Sequence, residues 1–137
     1  MGRKASKSRK QPGLEEPLHS REIVWIGSSK DDISAMPKEV KGSFGFRLRQ
    51  IQEGKPTADT KALTQFGAGV LELRESFDTN AYRCVIAVRL KSAVYALAAF
   101  KKKSKSGIGL SKADIKTIET RLKRAIELDK EANCEKD

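Results

Sequence analysis

The chain has 137 residues, 38% hydrophobic and 34% charged, which suits one domain with a buried core. Its formal net charge of +10 favours an anionic partner, such as nucleic acid, an acidic protein or a membrane surface. Because there is one histidine and no Cys-x-x-Cys motif, a zinc site has almost no ligands, and we expect no metal or other cofactor.

The first 20 residues are predicted to form a basic tail outside the folded domain. Residues 1–13 contain five cationic side chains, no acid and almost nothing apolar. Such a segment cannot bury enough apolar surface to fold by itself. Two roles are open for this tail: an arm that binds nucleic acid, or an extension that only adds solubility.

The folded domain is predicted to begin with a short strand and a short helix. The β-branched and aromatic run over residues 23–26 ends at a Gly-Ser turn, which predicts the first strand. A first helix is expected over residues 30–36, because Ser29 and Asp32 have the spacing of a capping box.

A second helix is predicted to start at Pro37 and to end near Gly54. Its apolar residues recur at helical spacing, namely at Val40, Phe44, Leu48 and Ile51. The segment 55–69 that follows is rich in turn-forming residues and is predicted to be a loop.

Three further strands are predicted to form an antiparallel meander. Residues 70–76 and 82–90 both alternate between apolar and polar side chains, and residues 93–100 form a mostly apolar run. The alternation places Arg74 on one face of its strand and separates Tyr82 from Arg83. Short connections join these strands, which favours antiparallel neighbours.

The last helix is predicted to begin near Ser111, where Asp114 completes a second capping box. Its apolar stripe consists of Ile115, Ile118, Leu122, Ala125 and Ile126. Residues 129–137 are polar and are expected to form a C-terminal tail, so that the domain spans residues 21–128. The predicted fold class is α+β, an antiparallel sheet with two N-terminal helices and a C-terminal helix packed on it.

The cationic side chains near three predicted strand ends are the main functional signal. Arg74 ends one strand, Arg83 opens the next, and residues 101–103 are three lysines that follow the last strand. A meander brings these positions to one edge, where the cations can hold a phosphate and stabilise charge that develops during phosphoryl transfer. Tyr82 adds a phenol for base stacking or proton transfer. Solvated charges at the strand ends of a basic protein are an equally open alternative.

Three segments resemble the phage-derived, HigB-like branch of the RelE/ParE toxin superfamily. They are "IVWIGSSKDDISAMPKEV", "FGAGVLELRESFDTNAYRCVIAV" and "VYALAAFKKKSKSGIGLSKADIKTIETRLKRA", in the order of the family. The resemblance implies a small RelE-like domain whose relatives cut mRNA, usually at the ribosome and without a metal. In that reaction the 2′-hydroxyl of one nucleotide attacks the next phosphate and leaves a cyclic phosphate and a 5′-hydroxyl.

The resemblance also implies roles for individual residues. Arg74 would hold the phosphate, and Arg83 would be a second phosphate ligand or the acid near the leaving oxygen. The general base stays open between Tyr82 and a lysine whose pKa is lowered by neighbouring cations. The residues predicted to be catalytic are Arg74, Tyr82, Arg83, Lys102 and Lys103, and those predicted to bind RNA are Lys61, Lys101 and Lys105.

A toxin of this kind implies a cognate antitoxin, acidic and in this branch often a helix-turn-helix protein, with mRNA and the ribosome as further partners. No membrane partner is expected, because no apolar segment approaches the roughly 20 residues that span a bilayer. Cys84 and Cys134 do not suggest a disulfide framework, which favours the reducing cytoplasm. A second reading stays open: a non-catalytic or gyrase-inhibiting ParE-like binding protein on the same fold.

Overall fold

The computed structural model describes residues 21–102 and 109–136, which form an α+β fold on a five-stranded sheet. In chain order the elements are β1 (Ile23–Trp25), α1 (Ser29–Ser34), α2 (Lys38–Gln52), β2 (Thr60–Ala62), β3 (Val70–Phe77), β4 (Asn80–Ala87), β5 (Val94–Lys102) and α3 (Lys112–Lys136). A short 3₁₀ helix, Thr64–Phe66, lies between β2 and β3. The predicted fold class is confirmed.

The strand order is β1-β5-β4-β3-β2. The pairs β2·β3, β3·β4 and β4·β5 are antiparallel, as the predicted meander requires, whereas β1 pairs with β5 in parallel. A parallel pair needs a long connection between its strands. Here α1, α2 and the meander together supply that connection.

The sheet separates two hydrophobic cores. On one face the predicted stripe of α2 packs against the strands, and all four of its members are buried: Val40, Phe44, Leu48 and Ile51. On the other face α3 packs through Ile118 and Ala125, both fully buried. Burying a side chain such as Phe44 contributes about 1.5–3 kcal/mol, so these contacts fix the sheet between its helices.

A tight hairpin sets the register of β3 against β4. Its two connecting residues, Asp78 and Thr79, have φ values of 52° and 64°. Two consecutive positive φ angles match a type I′ turn, whose twist suits a two-residue hairpin. The resulting register pairs Phe77 with Asn80 at the turn and Arg74 with Arg83 further along the strands.

Two local predictions were wrong because the deciding contacts are long-range. The predicted loop 55–69 contains β2, an edge strand with no buried side chain and therefore no hydrophobic alternation to reveal it. Ser29 is not a cap but a fully buried residue inside α1, and its hydroxyl donates to the carbonyl of Ala96 at 3.1 Å.

Helix α3 begins as predicted and extends further than predicted. The hydroxyl oxygen of Ser111 accepts a hydrogen bond from the backbone N–H of Asp114 at 3.0 Å. The helix then continues through most of the expected polar tail to Lys136. The reason is Asp129, a buried carboxylate that accepts hydrogen bonds from the connection between β4 and β5.

Asp129 accepts hydrogen bonds from four donors: the backbone N–H groups of Lys91 at 3.0 Å and Ser92 at 2.7 Å, the hydroxyl of Tyr95 at 3.1 Å and the side-chain amide of Asn133 at 3.4 Å. Burial alone would raise the pKa of this carboxyl, but the hydrogen bonds outweigh it and hold the pKa below the usual 3.8. The folded state thus favours the charged form. Its stabilising contribution is complete above the unfolded pKa and is lost as the pH falls through the lower folded pKa.

We therefore expect Asp129→Asn to lower the free energy of unfolding by about 1–3 kcal/mol at neutral pH. The difference in the free energy of unfolding between wild type and variant should shrink as the pH falls below 3.8, because the wild-type carboxylate then becomes protonated. Urea denaturation over a pH series measures both quantities. A gap that stays constant down to acid pH would contradict this assignment.

Candidate functional site

Arg74 and Arg83 form a cross-strand pair. They lie directly opposite one another in the antiparallel register of β3 and β4. Opposed residues in such a pair point to the same face of the sheet, with Cβ atoms about 4.5–5.5 Å apart. Like charges at that distance repel, so an anion placed between them is favoured.

Two lysines of the neighbouring strands lie on the same face. Lys102 on β5 pairs with Ala81, two residues before Arg83, and Lys61 on β2 pairs with Glu72, two residues before Arg74. Because alternate residues of a strand point to the same side, all four cations share one face. We call Lys61, Arg74, Arg83 and Lys102 the cationic face; α3 packs against the same side of the sheet.

Arg83 is buried at the centre of the cationic face. Its side chain is 9% exposed, and its Nη1 donates to the carbonyl of Tyr82 at 3.1 Å. Its Nε lies 3.7 Å from Oε1 of Glu72, which balances the charge but is too long for a hydrogen bond. Within the described residues Nε therefore has no hydrogen-bond partner, and a buried donor without one is costly unless a ligand supplies the acceptor.

Two predicted site residues lie on the other face. Tyr82 pairs with Glu75 and Lys101, and alternation separates all three from the cationic face. Tyr82 is 6% exposed and packs in the core beneath α1 and α2, so the structure does not bring its phenol to Arg83. Lys101 is exposed on that face as well.

The remaining predicted lysines, Lys103 and Lys105, lie outside the described residues. Next to Lys102, a cavity of about 510 Å³ lies between the end of β5 and the start of α3, where Phe100 and Asp114 contribute to its walls. It leaves space for a ligand beside this end of the cationic face.

Arg47 on α2 is a residue that the sequence reasoning missed. It is 6% exposed and lies in the apolar stripe of α2, three residues after Phe44 and four before Ile51. An arginine at a core position of an amphipathic helix was the available signal, because a buried guanidinium needs several acceptors.

Those acceptors connect α2 to the strands of the candidate site. Nη1 of Arg47 donates to the carbonyl of Arg74 at 2.6 Å and to Oε2 of Glu75 at 2.9 Å. Nη2 donates to the carbonyls of Ala58 and Asp59, the latter at 3.0 Å. Arg47 therefore holds both the backbone of Arg74 and the segment that leads into β2 and Lys61.

Few side chains in the described part of the chain are candidates for a nucleophile or for a metal ligand. Burial raises the pKa of the Cys84 thiol to about 12, against a smaller opposite effect of Arg47, so this thiol stays protonated at neutral pH. No group of three or more His, Cys, Asp or Glu side chains that could hold a metal occurs within residues 21–102 and 109–136. In the same ranges no helix is long and apolar enough to cross a membrane.

Comparison with known proteins places these residues in a family. Searches of the curated proteins and of the solved structures return no match. A family model, described as "Phage derived protein Gp49-like (DUF891)", matches residues 31–123, which is well over half of the chain and includes Arg47 and the whole cationic face. This family is toxin-like and of RelE type. The chain belongs to the phage-derived Gp49-like family.

Proposed function

We propose that this chain is the toxin of a type II toxin–antitoxin pair and that it cuts mRNA as a metal-independent endoribonuclease. The observation that carries the proposal is the cationic face, which gathers one cation from each of four neighbouring strands. At its centre the buried Nε of Arg83, 3.7 Å from Oε1 of Glu72, has no hydrogen-bond partner among the described residues. Membership of a RelE-type family supports the same chemistry.

In the proposed reaction the RNA supplies its own nucleophile. The 2′-hydroxyl oxygen attacks the adjacent phosphorus, and the bond from phosphorus to the 5′-oxygen breaks. The products are a 2′,3′-cyclic phosphate and a 5′-hydroxyl end. The protein needs to align the attack and to neutralise the charge that grows on the two non-bridging oxygens.

Arg74 and Arg83 would bind those non-bridging oxygens from adjacent strands. The Nε of Arg83 is a fixed donor in a buried setting, where a charge-assisted hydrogen bond is stronger than in water. Lys61 and Lys102 are then the candidates for proton transfer at the attacking and leaving oxygens, because Tyr82 lies in the opposite core.

The same proposal includes an acidic antitoxin that covers the cationic face. It also includes an action on mRNA at the ribosome and a cytoplasmic location. A folded domain that begins at residue 21 belongs to it as well, and so does a basic tail over residues 1–20, for which binding to the RNA backbone is the proposed role.

Induced expression in a bacterial host tests the proposed activity. We expect growth arrest accompanied by truncated transcripts with 5′-hydroxyl ends, and cleavage of RNA by the purified protein in the presence of EDTA. Arg74→Ala should abolish the arrest, whereas Arg124→Ala, which alters an exposed arginine of α3, should not. Transcript ends are mapped by sequencing after ligation that requires a 5′-hydroxyl.

Two results would contradict the endoribonuclease. Growth arrest with intact transcripts and DNA damage would favour a gyrase-inhibiting, ParE-like protein. Harmless expression of folded protein would favour a non-catalytic nucleic-acid binder.

A further inference from the structure

A groove lies at the open edge of the sheet, next to the cationic face. Strand β2 pairs with β3 only as far as Leu73, and the backbone N–H of Arg74 still donates to the carbonyl of Asp59 at 3.3 Å. Glu75 and Ser76 lie beyond that bond, where β2 no longer covers β3. This edge borders a cavity of about 860 Å³, whose opposite wall is α2 with Phe46 and Gln50. Arg74 lines this groove and also belongs to the cationic face, so the two surfaces meet at this residue.

Phe46 presents an uncovered aromatic ring to this groove. It is 64% exposed, the higher of the two exposed large hydrophobic side chains in the described part of the chain. Side chains of a helix lean over the preceding turn, and the residue four positions before Phe46 is Gly42. A Cβ atom at Gly42 would meet nothing within 4 Å, so no packing inside this domain requires a glycine there.

A glycine inside a helix costs about 0.5–1 kcal/mol relative to alanine. Gly45, which directly precedes Phe46, is also exposed and also has open space around it. Two such glycines beside an exposed ring leave its face accessible at the expense of helix stability. This arrangement favours a ligand that stacks on the ring.

The charges of the groove favour a neutral, planar ligand over a phosphate. Arg47 is paired with Glu75 at 2.9 Å, and Asp59 lies on the wall together with Arg74, so the described acids and cations of the wall balance. The amide of Gln50 adds a neutral donor and acceptor for the edge of a base. An acidic protein segment is disfavoured here, because Asp59 is exposed and would repel it.

We propose that Phe46 is a nucleobase-stacking site, at which a base next to the scissile phosphate stacks while the phosphate lies on the cationic face. The RNA strand would turn around the open edge of β3 at Arg74. Bases of single-stranded RNA are commonly bound by stacking on aromatic side chains, while cations bind the backbone. This inference rests on the proposed function and adds a second contact between the protein and the RNA, besides the cationic face.

The test uses a short RNA whose attacking 2′-hydroxyl is replaced by hydrogen, so that it binds without being cut. We expect Phe46→Ala to weaken binding about 5- to 100-fold, the loss of one base–aromatic stack, and Phe46→Trp to retain it. The salt dependence should stay as in wild type, because no phosphate contact is removed. Gly42→Leu should weaken binding like Phe46→Ala by covering the ring, and Gly42→Ala should bind like wild type.

Abasic substitutions in the RNA identify the stacked base. At one position next to the scissile phosphate, removal of the base should weaken binding to wild type and leave binding to Phe46→Ala unchanged. If every abasic position affects both proteins equally, the stacking site is overturned.

Arg74→Ala separates this inference from the proposed function. If Arg74→Ala weakens binding and lowers its salt dependence while Phe46→Ala changes nothing, the stacking site fails and the ribonuclease stands. If neither variant changes RNA binding, both fail.

Discussion

Replacing Arg83 by methionine is expected to lower the single-turnover rate of RNA cleavage by about 10²–10³-fold, the usual effect of removing one preorganised donor from a developing oxyanion. The guanidinium is fixed before RNA binds, since Nη1 is bonded to the carbonyl of Tyr82 and the side chain is 9% exposed. The loss should therefore fall on the chemical step more than on RNA affinity.

The same substitution is also expected to destabilise the fold. Glu72 is buried beside Arg83, and removal of the cation takes away the buried guanidinium whose Nε lies 3.7 Å from its carboxylate. Breaking a buried pair from one side costs about 3–5 kcal/mol. A loss of activity in Arg83→Met alone would thus not separate chemistry from folding.

The double variant Arg83→Met/Glu72→Gln separates the two effects. Removing both charges should recover most of the free energy of unfolding in urea and none of the cleavage rate. Arg83→Lys keeps a positive charge near Glu72 but has no Nε in that position, so it should fold and cleave slowly. Recovery of cleavage in the double variant would contradict a direct role of Arg83 at the phosphate.

The relation of Arg74 to Arg83 could be predicted because it depends on local rules. Alternation along each strand fixes which side chains share a face, and a two-residue turn at Asp78 and Thr79 fixes the register. The same alternation places Tyr82 and Lys101 on the other side of the sheet. Proximity along the sequence favours a shared site for Tyr82 and Arg83, but adjacent residues of a strand point in opposite directions.

What could not be predicted depends on partners distant in the sequence. Strand β2 exists because it pairs with β3, while its own residues, half-buried or exposed, show no apolar pattern. Asp129 extends α3 through bonds to the connection between β4 and β5, 37 and 38 residues earlier in the chain. Arg47 is similar, because its acceptors lie 10 to 28 residues further along. Such polar contacts leave no periodic trace in the sequence, since only their final geometry makes them favourable.

Arg47→Met is expected to have the second large effect on stability. It should also affect the site indirectly, through the backbone of Arg74 and the segment that leads into β2. It removes the cation opposite Glu75 and the donors to the carbonyls of Arg74 and Asp59, at a cost of about 3–5 kcal/mol in the free energy of unfolding. Arg49→Ala is the matched control, because Arg49 lies on the same helix and is exposed. It should change stability by no more than about 0.5 kcal/mol.

Besides the loss of global stability, we expect a local loss of structure that is greatest at β2. Thr60, Lys61 and Ala62 are held to the domain by their pairing with β3 and by the segment that Arg47 anchors. In Arg47→Met/Glu75→Gln, which removes the orphaned charge, we expect native-like protection of β4 amides from hydrogen exchange and a selective loss at β2. RNA binding should then show a salt slope lower by about one unit, as if Lys61 alone had left the cationic face. If β2 keeps its protection in that folded variant, Arg47 stabilises the core without positioning the site, and Lys61 is held by the pairing of β2 with β3 alone.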